Sequence, residues 1–250
     1  MEKSTMNLQE ARELGDQVAS LVREEKTKQA MGLLSPILAQ RVKFTLLGEI
    51  GKKIGEGPLG TTNAFLPHIA AIEAEGGWPI IGMALNAQLG RDLAGAMERC
   101  RGFAIEGDIW YCADILAERV PGPGLLMDFD PVYNILKSWR EDENRWVRRM
   151  VGVATHFWTK RAKGKPEMVS QAKQLLNLSA PLFTEWEIDA VKGIGWGFKT
   201  MGRYYPDLLT DFLANEIVPA ERKYRAIMLQ KALKFLTAEQ RARATGSVIP

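Results

Sequence analysis

Two tryptophans stand where helical periodicity puts no core. In a helix read over 108–120, Ile109, Cys112, Ala113, Leu116 and Val120 define the apolar stripe. Trp110 and Asp114 lie at its edge and beyond it, four residues apart and so neighbours on one face. In a second helix, over 187–203, Val191, Ile194, Phe198 and Met201 form the core face, and Trp196 projects from nearly the opposite side among Lys192, Lys199 and Arg203. An indole ringed by cations is suited to packing on a sugar or base beside neutralised phosphates. A third helix, over 144–161, opens on Asn144 as N-cap and turns Trp146, Met150, Val153, Ala154 and Phe157 inward. Of its adjacent arginines, Arg148 is expected in solvent with Thr155 and Thr159, whereas Arg149 falls on the border of the apolar face, in line with His156 and Lys160. Each residue also has a plain reading: Asp114 as a solvated carboxylate, Arg149 as an ion-pair partner of Asp114 or Glu118, Trp196 as covered by a further helix. Trp78, Trp139, Trp158 and Trp186 read as core or hinge residues.

Other chemistries find little support. With only His68, His156 and two isolated cysteines, Cys100 and Cys112, no compact metal-ligand set is present, and no cofactor motif is recognised. A Walker loop and a G-x-S-x-G elbow are both missing. Gly55–Gly60, GEGPLG, matches G-x-G-x-x-G in form, but a helix precedes it and Pro58 sits inside it, so it reads as a loop between helices. No apolar run reaches the length of a membrane span, the first residues lack the apolar segment of a signal peptide, and two cysteines make no disulfide framework. A cytoplasmic, monomeric protein is expected.

Charge is divided unevenly. Residues 1–136 carry 13 Lys/Arg against 18 Asp/Glu, or −5, and residues 137–250 carry 20 against 12, or +8, which together give the net +3. The basic second half points to an anionic partner, nucleic acid first among them.

Helical periodicity runs throughout, without a convincing alternating strand. Helices are predicted over 7–25, around Val42–Ile54, over 64–75, 78–86, 88–101 and 108–120, the last stopped by Pro121–Gly124 (PGPG). Asp130 and Pro131 read as N-cap and first residue of a helix running to Trp139. Beyond the 144–161 helix, further ones are predicted over 167–177, 187–203, 207–217 and 220–236, with Thr237 capping a short final one. NRWVRRMVGVAT (144–155) and DAVKGIGWGFKT (189–200) overlay at a spacing of 45 residues, within the range of HEAT and armadillo repeats. The expected fold is therefore all-α: one domain over 1–250, a helical-repeat solenoid with a concave basic surface.

In order and spacing, three segments resemble the AlkD-like DNA alkylation-repair glycosylases, a family built from HEAT-like repeats. They are W-x-x-x-D at Trp110–Asp114, NRWVRR at Asn144–Arg149, and VKGIGWGFKTMGRYYPDLLTDFL at Val191–Leu213. Together they place the resemblance over about residues 98–236; residues 1–97 show compatible helices only, and the family's N-terminal DNA-contacting aromatic has no match there. The resemblance implies hydrolysis of the N-glycosidic bond of purines alkylated at N3 or N7 in double-stranded DNA. Asp114 would be the catalytic carboxylate, Trp110 and Trp196 would flank the deoxyribose, and Arg149 would hold backbone phosphate; Lys160, Lys192, Lys199 and Arg203 extend a basic track along the duplex. It also implies that the lesion stays stacked and is contacted through its sugar, unlike the flipped base of other glycosylases. The alternative is a non-catalytic HEAT-like module that binds DNA structures or a protein partner.

Overall fold

The computed structural model describes residues 6–216 and 225–246, and among these every regular element is a helix. The chain forms two compact units that divide between Val120 and Pro121.

The first unit contains α1 (Leu8–Arg23), α2 (Thr27–Leu38), α3 (Phe44–Gly55), α4 (Leu59–Ala70), α5 (Gly77–Gln88), α6 (Leu93–Gly107) and α7 (Trp110–Arg119). Its ladder runs through alternate helices: α1 packs on α3, α3 on α5, and α5 on α7, while α2, α4 and α6 pack against this row. Asn7 caps α1 in a reciprocal capping box with Glu10. The α3–α5 rung is close because Gly55 offers no Cβ; one built there would lie 2.2 Å from the carbonyl oxygen of Ala84. α2 was not anticipated. Its Gly32, Ser35 and Pro36 interrupt the helical pattern, but Ala30, Leu34 and Leu38 still bury one face.

The second unit repeats the rule with α8 (Pro121–Met127), α9 (Phe129–Trp139), α10 (Arg145–Ala162), α11 (Val169–Ser179), α12 (Ile188–Tyr204), α13 (Pro206–Glu216), α14 (Arg225–Ala232) and α15 (Ala238–Thr245). Here α8 packs on α10, α10 on α12, and α12 on α14, with α9, α11 and α13 alongside. The two segments that overlay at 45 residues are thus equivalent stretches of neighbouring rungs, as a helical repeat requires. Thr237 caps α15 in a second capping box, with Gln240.

Several expectations are corrected. PGPG does not merely stop α7; it opens α8, because a proline in the first helical turn lacks only an N–H that has no intrahelical partner. Gly122 there lets the Phe157 ring of α10 approach, since a Cβ would lie 2.8 Å from that side chain. α9 starts at Phe129 with Asp128 as N-cap, ahead of Asp130–Pro131. α4 begins and ends five residues earlier than predicted, and α6 runs from Leu93 to Gly107 instead of over 88–101. Of the helix predicted over 220–236, residues 220–224 lie outside the described residues; α14 and a 3-10 turn to Phe235 form the rest.

The largest correction concerns α10. Trp146, Met150, Val153 and Ala154 are buried as expected, with Phe157 half-buried, but Arg148, Thr155 and Thr159 are buried too. α10, in mid-ladder, has α8 and α12 on its flanks and α9 and α11 alongside, so more than one stripe leaves solvent. The threonine hydroxyls are satisfied within α10, donating to the carbonyls of Val151 and Thr155 at 2.9 and 2.7 Å. Trp78, Trp139 and Trp158 are core, whereas Trp186 is 69% exposed in the segment before α12.

Candidate nucleic-acid interface

In the first unit, α7 displays an indole and a carboxylate on one face. Asp108 ends α6 in a left-handed conformation (φ 39°, ψ 35°), and extended Ile109 restarts the chain so that Trp110 is the first helical residue. Trp110 is therefore 55% exposed, edge-on to Tyr111 with ring centroids 5.8 Å apart. One turn on, Asp114 is half-buried on the same face. The fully buried Cys112, Ala113 and Leu116 fix the helix beneath them.

In the second unit, α10 and α12 meet almost backbone to backbone. A Cβ on Gly152 would sit 2.3 Å from the Cα of Ile194, and one on Gly193 would sit 2.5 Å from the Cγ of Arg149. Gly193 thus makes room for the stem of Arg149, which is buried and whose Nη1 donates to the carbonyl of Asp189 at 2.6 Å. The Asp189 carboxylate draws in Lys192 Nζ at 3.5 Å, with Arg145 Nε at 4.0 Å. Arg149 is in this way attached to the first turn of α12 as well as to its own helix.

Helical spacing aligns Arg149, His156 and Lys160 along α10, and Lys192, Trp196, Lys199 and Arg203 along α12. Lys160, Lys192 and Arg203 are exposed; Lys199 and Trp196 are half-buried. Lys199 and Arg203 lie over the Phe235 ring at 5.8 and 5.5 Å from its centroid, which orders both cations on the side toward α14. Trp196 stacks on the imidazole of His156, with centroids 3.9 Å apart and planes at 23°. His156 is buried, and that burial, then the charges of Lys160 and Lys199, push its pKa down to about 4, so the ring is neutral near pH 7.

Of the residues singled out in the sequence, the second unit brings six onto two adjoining helices: Arg149, Lys160, Lys192, Trp196, Lys199 and Arg203. Trp110 and Asp114 form their own pair on α7. Sequence reasoning overlooked Asp189, Gly193 and Thr200, and gave His156 no part. A signal for the close approach was present: in the 45-residue overlay, Gly152 falls on Gly197 and Thr155 on Thr200, the small residues that adjoining rungs need. The α10–α12 face can neutralise phosphates along one line beside an indole, and α7 by itself offers an indole face and a carboxylate.

The family model described as DNA alkylation repair enzyme matches residues 79–236, which include every one of these residues. No curated protein and no solved structure matches the chain.

Proposed function

Because the chain belongs to the DNA alkylation repair enzyme family, we propose that it is a DNA glycosylase acting on N3- and N7-alkylated purines in duplex DNA. The observation that carries this reading is the exposed Trp110 with Asp114 one turn away, an indole face and a carboxylate presented together. Alkylation at these ring nitrogens makes the purine a cation and a good leaving group, so no protein acid is needed to expel it. As the glycosidic bond stretches, positive charge moves to the deoxyribose. Asp114 offsets that charge and orients the attacking water; Trp110 and Trp196 stabilise the cationic sugar through their π faces. Arg149 grips the backbone, and Lys160, Lys192, Lys199 and Arg203 follow it. Recognition runs through the sugar and phosphates, so a base that remains stacked can still react.

The test is single-turnover excision with purified protein on a duplex carrying one N7-methylguanine, with release of the free base as the readout. Release well above the spontaneous rate is expected. Tight duplex binding with no release would favour the non-catalytic DNA-binding module instead.

A further inference from the structure

An indole that flanks a sugar must be held in one plane, and Trp196 lies half-buried on a helix face with solvent beside it. Three contacts close a loop around it. The imidazole of His156 stacks on the indole at 3.9 Å; His156 Nδ1 lies 2.6 Å from Thr200 Oγ1; and Thr200 Oγ1 donates to the carbonyl of Trp196 itself at 3.0 Å. When the Thr200 hydroxyl donates to the Trp196 carbonyl, Oγ1 keeps a lone pair for a proton on Nδ1, so one His156 tautomer lets both bonds form at once. One ring face, two hydrogen bonds and a helical turn thereby tie the indole to its own backbone through two other side chains.

We propose that His156 and Thr200 form a clamp that sets the plane of Trp196, with His156 acting as a positioning residue on the DNA-facing surface. This rests on the assignment of Trp196 to the sugar for its catalytic consequence, but the clamp itself is a property of the folded protein. The ring is the working part. It covers one indole face and restricts the side chain to the plane parallel to it, while Thr200 keeps the imidazole from turning. A neutral ring also serves better than a charged one here, because a third cation beside Lys160 and Lys199 would oppose the positive charge that develops on the sugar.

Substitutions separate the ring from its hydrogen bond. H156F keeps a stacking ring and loses the bond to Thr200; H156A loses both; T200V keeps the imidazole and loses its anchor. The near-UV circular dichroism of Trp196 is the wild-type spectrum minus that of W196F. This band is expected to be lost in H156A, retained in H156F and weakened in T200V. On N7-methylguanine duplex, H156A is expected to lower the single-turnover rate about tenfold, as a small misplacement of a reacting group does, with H156F restoring most of it. Duplex affinity should stay within about twofold throughout. In a W196A background, adding H156A should cost nothing more, because the histidine acts through the tryptophan. An unchanged Trp196 band in H156A, or a rate loss that persists in full on top of W196A, would overturn the clamp. A clamp present in the spectra of a wild-type protein that excises nothing would instead refute the glycosylase reading and leave the clamp standing.

Discussion

Arg148 and Glu185 form a two-pronged buried ion pair: Nε donates to Oε2 at 2.5 Å and Nη2 to Oε1 at 3.0 Å, with both side chains almost completely out of solvent. Arg148 Nη1 donates further to the carbonyls of Asp142 and Glu143, and Glu185 Oε1 accepts from the backbone N–H groups of Trp186 and Glu187. The pair therefore ties the α9–α10 turn to the segment that leads into α12. Removing one partner leaves the other charge buried without compensation, at a cost of about 3–5 kcal/mol. R148A should lower the urea midpoint accordingly with little change in m-value, and an unchanged midpoint would deny the pair this structural role.

Adjacent in sequence, Arg148 and Arg149 show what could and could not be read without coordinates. Helical phase separates them by about 100°, and that alone told one from the other. It could not tell that the face carrying Arg148, Thr155 and Thr159 is covered, because periodicity reports the most apolar stripe and not the number of neighbours a helix has. The core of α12 was legible, since Val191, Ile194, Phe198 and Met201 repeat at helical spacing and are all buried. The hold on Arg149 was not: it depends on a glycine and a backbone carbonyl contributed by a helix some 40 residues away, Gly193 and Asp189. Trp110 stood out in the sequence because it lies at the edge of the stripe formed by Ile109, Cys112, Ala113, Leu116 and Val120; that α7 starts with it, leaving no earlier turn to cover its ring, came only from the structure. Trp186 did not stand out, for it belongs to no periodic segment.

The tight α10–α12 rung should be intolerant of even one methyl group. G152A places a Cβ 2.3 Å from the Cα of Ile194, which only backbone movement can relieve, and a loss of about 1–3 kcal/mol or more is expected. G32A is the matched control: the site on α2 is open, and replacing a helical glycine there should stabilise by about 0.5–1 kcal/mol. Thermal unfolding of the two variants should shift in opposite directions.

His156 also gives stability a pH signature. Its folded pKa of about 4 lies below the unfolded value of 6.5, so between these values the unfolded chain binds a proton that the folded chain refuses. Stability contributed at this site should thus fall as pH drops from about 6.5 to about 4, and level off below. H156F should flatten that part of the stability–pH curve relative to wild type; an identical slope in the two proteins would mean that His156 titrates normally.

If the stripe of cations on α10 and α12 follows a duplex, affinity must fall with salt through counterion release, regardless of base sequence. K199A should weaken binding about equally on several unrelated duplexes and reduce the slope of log K against log[salt] by about 1. An unchanged slope would remove Lys199 from the track.

The role of Asp114 is the central claim, and D114N tests it most directly. The substitution keeps the size of the side chain and removes its negative charge. If that charge offsets the cation developing on the sugar, single-turnover excision of N7-methylguanine should slow by roughly 10²–10³, or about 3–4 kcal/mol, while duplex affinity stays near wild type. An N3-alkyladenine, the better leaving group, should be affected less. Excision by D114N at the wild-type rate would contradict the account.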